Sequence, residues 1–367
     1  MFDRRLIANF DWTLFFAALA LSVLGILNLY SAGSFSSAHS SATPFFIKQS
    51  YWLLVGLIVM FVVISIDYQF ISRQGYLLHL ASLFLLLVVL LWGSSSTGAH
   101  RWLQVGPFSF QPSEFAKISL IIVLSYTLSG STPPTSSQFQ GLAAPVLLTA
   151  LTFLLIFLEP DLGTSGLFLL IFISFVFLVR FDRRHIALFV TTGIVLLPCI
   201  WFFLEDYQKR RVFTFISPGK DSLRAGYQAI QSKIAIGSGS LFGKGFLNGT
   251  QSQLRFLPEQ HTDFVFSVWA EEWGFAGVLL VLLLFFVVIS KGLKIAALSR
   301  DSLGSFLAIG VVLIISFQVC INVGMVSGLL PIVGITLPLF SYGGSSLIST
   351  WVCIGLLLNV KMRRLIF

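Results

Sequence analysis

The stretch FLPEQHTDFVFSVWAEEWGF, residues 256–275, places an aspartate, three glutamates and a histidine against the start of one of the most apolar runs in the chain. Asp263, Glu271 and Glu272 have company. RWLQVGPFSFQPSEFAKISL brings Arg101, Glu114 and Lys117 to another such boundary, LEPDLGTS adds Glu159 and Asp161 around Pro160, and LPLFSYGGSS breaks an apolar run at Ser341 and Tyr342. Ionisable groups at membrane depth cost several kcal/mol and usually face a cavity. Gathered in this way, they imply a polar site opening at one end of a helical bundle. Two classes of function fit: a transferase acting on a lipid-linked substrate, and a transporter. A transporter is expected to hold its site near the midplane, among broken helices and internal repeats, and no repeat is visible here.

Each group also has a plainer use. Pro112 and Ser113 precede Glu114 as a helix start, and Lys117, three residues on, can pair with that glutamate along the helix. Glu271 and Glu272 precede Gly274, where the apolar run proper begins, which suits capping or pairing at the interface. In GSGSLFGKGFLNGT the spacing of a phosphate loop is not met, which leaves a flexible glycine turn or a cradle of backbone amides for an anion. DSLRAGYQAIQSKIAIG sets Leu223, Tyr227, Ile230 and Ile234 at helical spacing, predicting a short amphipathic helix on the membrane surface or under the surrounding loop. The small and hydroxyl residues of SYGGSS allow close helix approach.

The elements that must position these groups follow from composition. Of 367 residues, 56% are hydrophobic and only 10% charged, with a mean hydropathy of +0.92. Soluble domains carry roughly 25% charged residues, so the chain is an integral membrane protein. A span needs about 20 apolar residues, and the runs near 13–33, 46–66, 76–93, 114–129, 142–158, 162–179, 186–203, 265–290, 305–329 and 338–360 predict an all-α polytopic fold of ten helices. A large loop, 204–264, lies between the seventh and eighth. MFDRRLIANFD leads into an uncleaved anchor, because the first run is too long for a signal peptide and no A-x-A site follows it. If ten crossings alternate, Arg4, Arg5, Arg73, Arg180, Arg183, Arg184, Lys291, Lys294, Arg300, Lys361, Arg363 and Arg364 share one side, the cytoplasm, and both termini lie there. The long loop is basic but escapes the charge rule by its length. The net charge of +8 is thus membrane orientation and one basic loop, with no nucleic acid expected. Cys199, Cys320 and Cys353 fall in apolar segments as packing residues, and the five histidines lack metal-ligand spacing, so no structural metal is expected.

RWLQVGPFSFQPSEFAK, EPDLGTS, DYQKRRVFTFISP, GTQSQLRFLPEQHTDFVFSVWAEEWGF and GITLPLFSYGGSS, in this order, closely resemble the SEDS family of bacterial cell-shape, elongation and division proteins. The resemblance covers essentially the whole chain, and PEQHTDF with AEEWGF is similar to the elongation, rod-shape branch. It implies a ten-helix peptidoglycan glycosyltransferase polymerising lipid II at the outer face of the cytoplasmic membrane. It implies as partners a class B penicillin-binding protein that crosslinks the glycan and other elongation-complex proteins. The aspartate of TDF, Asp263, is the family's essential residue. Joining two lipid II units requires the 4-hydroxyl of an acceptor GlcNAc to attack the anomeric carbon of a donor MurNAc, expelling undecaprenyl pyrophosphate. A base near the hydroxyl and positive charge near the pyrophosphate are needed. Asp263 is expected as that base, or as a ligand of a divalent cation (Mg or Mn). Arg101, Lys117, Arg210 and Arg211 are candidates for the pyrophosphate clamp, with headgroup binding the plainer role for Arg210 and Arg211. Trp102, Glu114, Asp161 and Ser341 are expected at the substrate cavity. A lipid II flippase is the alternative reading.

Overall fold

The computed structural model describes residues 9–34, 44–95, 100–105, 108–130, 138–179, 206–217, 225–254 and 259–364, with 191, 202, 204, 256 and 257 besides. In chain order the described helices are α1 (Trp12–Ser34), α2 (Phe45–Ser65), α3 (Tyr68–Arg73), α4 (Gly75–Trp92), α5 (Pro112–Ser129), α6 (Gln138–Leu158), α7 (Leu162–Leu178), α8 (Asp206–Ile216), α9 (Ala225–Ser238), α10 (Thr250–Gln253), α11 (Val265–Ala297), α12 (Ser302–Ser327) and α13 (Gly344–Met362). Six of them, α1, α2, α4, α11, α12 and α13, are long and apolar enough to cross a membrane, and the shorter apolar helices Ala143–Leu158 and Leu162–Leu178 join them. Apart from residues 191 and 202, the expected span over 186–203 lies outside the described residues, as do the arginines before it.

Helix α2 shows how an all-apolar sequence divides itself. Gln49, Leu53, Gly56, Met60 and Ile64 recur every three or four residues and are buried, while Leu54, Ile58, Phe61 and Val62 on the other faces are more than half exposed. An apolar outer face suits lipid, and only the inner stripe needs protein neighbours. Gly56 makes the inner stripe thin: a Cβ there would lie 3.0 Å from the Trp351 ring, so α13 packs directly on α2. At the end of the bundle away from the long loop, Asp11 meets Lys291 at 3.5 Å and Lys361 at 3.6 Å, tying the start of α1 to the ends of α11 and α13.

Three local features differ from the sequence reading. Residues 94–110 include a small antiparallel sheet, β1 (Ser94–Ser95), β2 (His100–Val105) and β3 (Phe108–Phe110), in the order β1-β2-β3; its strands are too short for their alternation to register in sequence. Helix α13 begins at Gly344 rather than near 338. The preceding segment is irregular, with φ of +75° at Gly328, +77° at Gly334 and +64° at Leu339, and it crosses the top of the bundle. Helix α9 forms where expected, but Ile230 and Ile234 point outward. It packs through Gly226, Ser232 and Ala235 instead, and the Ser232 hydroxyl reaches both Ser267 and the Val326 carbonyl at 2.7 Å. Small residues allow that close approach.

Helix α11 is broken near its start. Gly274 has φ of 62° and ψ of −160°, so the regular ladder stops at AEEWG and resumes at Phe275. The glycine-rich segment supplies the missing partners. Lys244 N–H donates to Glu271 O and Gly245 N–H to Glu272 O, while Phe275 and Ala276 N–H donate to Ser240 O and Leu241 O. The fit demands glycine, since a Cβ at Gly243 or Gly239 would come within 2.0 Å of an α11 carbonyl oxygen. The segment therefore completes a helix, and its Lys244 and Gly245 amides are not available as an anion cradle.

Candidate active site

The loop before α11 is fixed carbonyl by carbonyl. Gln260 Nε2 donates to Ala32 O of α1 at 2.9 Å, Tyr342 N–H to His261 O at 2.9 Å, and Ser341 Oγ to Thr262 O at 2.7 Å. Asn322 of α12 completes the set by donating to Asp263 O at 3.1 Å and to Ile335 O at 2.7 Å. Ser341 is held in turn by Leu337 N–H, and Gln49 donates to its carbonyl at 3.0 Å. With the main chain pinned on α1, α12 and the 335–342 segment, the Asp263 side chain is left over Gly334. A Cβ at Gly334 would be 3.4 Å from Asp263 Oδ2.

The Asp263 carboxyl is half-buried and pushed up to about 6. Burial is the main cause and the neighbouring Glu259 adds to it; Arg211 and a hydrogen bond from Thr262 oppose, and Asp161 contributes a further small rise. Arg211 of α8 donates to Ile332 O at 3.1 Å, which holds it beside the same segment. Asp161 caps α7, accepting from Thr164 N–H at 3.1 Å and from the Thr164 hydroxyl at 3.0 Å. Its other partner is Arg101 of β2, 3.7 Å away, whose guanidinium also reaches the carbonyls of Glu159 and Pro160. Gly163 lets this corner approach, because a Cβ there would lie 2.7 Å from Val333 O. Glu159 is buried beneath it and pushed up to about 8, by burial first and Asp161 second, with Arg101 opposing. Carboxylates and arginines from four separated segments thus meet around residues 332–335.

The profile of the cell cycle proteins FtsW, RodA and SpoVE matches residues 11–365. The chain belongs to this family. Among its relatives, the peptidoglycan glycosyltransferase MrdB of Escherichia coli K12 is 41% identical over 94% of this chain and 93% of its own. Stage V sporulation protein E of Bacillus subtilis is 37% identical over 96% of both. A chain of a solved peptidoglycan synthase complex that coordinates polymerization and crosslinking superposes with a TM-score of 0.81 at 34% identity, covering 98% of this chain and 99% of that one. The Thermus thermophilus rod shape determining protein RodA gives a TM-score of 0.72 at 33% identity, covering 97% and 98%.

Against this family frame the expected site residues separate into groups. Asp263 and Asp161 come together, with Arg101 and Trp102 carried on the adjoining β2. Ser341 is there as a buried brace for the loop. Arg211 turns toward Asp263, whereas Arg210 is exposed on the other face of α8. Glu114 and Lys117 form a separate buried pair, 2.8 Å apart, with Ser349 donating to the carboxylate at 2.9 Å. They sit in a closely packed cluster with Ile314, Gln318, Thr350 and Cys353, which Asp263, Arg211 and Asp161 do not border. Glu271 and Glu272 are structural: Glu271 accepts from Lys244 Nζ at 2.7 Å and Gln251 N–H at 3.1 Å, and Glu272 accepts from Ser31. Sequence reasoning missed Glu259, Gly334 and Asn322. Glu259 lies four residues before Asp263 in one motif, and Asn322 is a polar residue inside an apolar run, which was signal enough to ask what it holds.

Proposed function

We propose that this chain polymerises lipid II into glycan strands at the outer face of the cytoplasmic membrane during elongation and rod-shape maintenance, with Asp263 as general base. The naming of its relatives as peptidoglycan glycosyltransferases supports the activity. The observation that carries the role of Asp263 is geometric: the carbonyls of His261, Thr262 and Asp263 are each tied down, and the carboxylate lies over Gly334 near Arg211. A carboxylic acid titrating near 6 is matched to proton abstraction at neutral pH. The acceptor GlcNAc 4-hydroxyl gives its proton to Asp263 as its oxygen bonds to the MurNAc anomeric carbon. The bond from that carbon to the pyrophosphate oxygen breaks, and undecaprenyl pyrophosphate leaves with the electron pair. Arg211 supplies positive charge on the same side of the site. Arg101 acts through Asp161 as a positioning residue, and the Glu114–Lys117 pair stabilises the bundle behind the site.

The alternative role for Asp263 is as ligand, with Glu259 as its neighbour, of a hard divalent cation, Mg or Mn, which would keep several waters and need only one or two carboxylates. Among the described residues no group of three or more His, Cys, Asp or Glu is placed to hold a metal. Such a cation would neutralise the departing pyrophosphate. A class B penicillin-binding protein is the partner that crosslinks the product; the synthase complex this chain resembles coordinates polymerization and crosslinking. Both termini lie in the cytoplasm, and residues 204–264 lie outside.

The test uses the purified chain with its penicillin-binding protein in detergent micelles supplied with lipid II. Long glycan products are expected. A pure flippase makes none, since a micelle has no second leaflet, and absence of product from an active, folded complex would return the flippase reading to first place.

A further inference from the structure

We infer that the cavity beside Arg211 seats a phosphate group carried on an isoprenoid chain, with Lys233 as its second cation. The inference rests on the reading of this chain as a lipid II polymerase and assigns the place where the lipid pyrophosphate is held. The cavity is an open groove enclosing about 30 Å³ between α8, α9, the end of α12 and residues 328–332. Arg211, Thr214 and Lys233 form its polar lining and Phe215, Met325 and Leu330 its apolar lining, and among the described residues no carboxylate borders it. Two cations and a hydroxyl against an apolar wall are the chemistry of a phosphate on a hydrocarbon tail. Of its apolar lining, Phe215 is 42% exposed and Leu330 39%, an open apolar edge along which a chain can leave toward lipid.

Lys233 has a plainer use to be weighed, neutralising the C-terminal end of α12. The hydrogen bonds leave little need for it. Gly324 O accepts from Leu329 and Leu330 N–H at 2.8 and 3.0 Å, and Met325 O from Gly328 N–H at 3.1 Å. Val326 O accepts from the Ser232 hydroxyl at 2.7 Å. The turn is closed without the ammonium. Space for Lys233 is nonetheless kept open by Gly328, where a Cβ would come within 1.9 Å of Lys233 Cε and 2.4 Å of Nζ. Arg211 links this cavity to the reaction centre: it donates to Ile332 O and acts on Asp263 electrostatically. A pyrophosphate seated here would share Arg211 with the Asp263 carboxylate, which does not itself border the groove.

The experiment measures binding of three lipids to the full chain with its penicillin-binding protein in micelles: undecaprenyl pyrophosphate, undecaprenol and dioleoylphosphatidylglycerol. Lys233→Gln is expected to weaken the pyrophosphate lipid roughly tenfold, to leave undecaprenol unchanged, and to raise the KM for lipid II more than it lowers kcat. Gly328→Ala, which crowds the lysine, should act in the same direction, and Lys233→Arg should restore most of the loss. Unchanged pyrophosphate binding, or equal weakening of pyrophosphate lipid and alcohol, overturns the inference. Phosphatidylglycerol displacing the pyrophosphate lipid at equal concentration would also overturn it, by making the cavity a general headgroup site. Failure of the proposed function reads differently: the wild-type complex itself would make no glycan, whatever the binding results.

Discussion

Asp263 owes its raised titration to burial before any neighbour, and the neighbours pull in opposite directions. The sign of the pH effect follows. A general base works deprotonated, so polymerisation at saturating lipid II should be flat above about pH 6 and fall about tenfold per unit below it. Folding stability moves oppositely: a carboxyl raised from 3.8 to about 6 stabilises the folded state in acid, and that contribution is lost as pH rises through this window. The neighbours allow a sharper check. Arg211→Gln removes the opposing cation and should move the acid limb upward. Glu259→Gln removes the like charge and should move it downward. Rate–pH profiles that stay in place in both variants would mean the limb belongs to another group. The sequence marked Asp263 and Asp161 by type and motif; it could not choose between Arg210 and Arg211, because that choice depends on which way α8 is rotated.

At the level of elements, the break in α11 is the feature least legible in sequence. A glycine-rich run reads as a turn or an amide cradle, since the carbonyls it serves belong to residues some thirty positions on. What the run does instead is rejoin a helix interrupted at Gly274, and this places AEEW at the start of the span and Asp263 just above it. Gly243 has φ of +79° and no room for a Cβ beside Glu272 O. Gly243→Ala should therefore destabilise the protein by at least about 1–2 kcal/mol, the cost of the left-handed backbone alone, as read by thermal or denaturant unfolding in micelles. Gly237→Ala is the control. It lies in α9 with nothing within 4 Å of a Cβ, and the helical alanine should be neutral or stabilising by roughly 0.5–1 kcal/mol. Equal losses at both sites would contradict the crossing described here.

Across the whole molecule, the six long apolar helices were readable because membrane crossing is a matter of length and composition, quantities a single sequence carries. The small sheet at 94–110 and the irregular approach to α13 were not, because both depend on contacts with elements distant in the chain. Ser341 illustrates the gap: its type marked a break in an apolar run, but only the fold reveals that its hydroxyl grips the loop of Asp263. The sidedness is open to a direct check. A reporter active only in the cytoplasm should work when inserted near Arg183 or Ser131 or fused after Phe367, and should be silent near Ser36 or Asn248. Activity at Asn248 would put the proposed site on the wrong face of the membrane.

The measurement that bears most directly on the account is lipid II polymerisation by Asp263→Asn in the purified complex, with thermal melting and partner binding recorded on the same sample. Asparagine keeps the size and one acceptor oxygen, so the pinned backbone and the fold should be retained with a melting curve close to wild type. Loss of a general base costs about 10²–10⁴ in rate, and polymerisation should fall by that much or below detection, without recovery in excess Mg or Mn. Polymerisation near the wild-type rate in a folded, partner-bound variant would remove Asp263 from the chemistry.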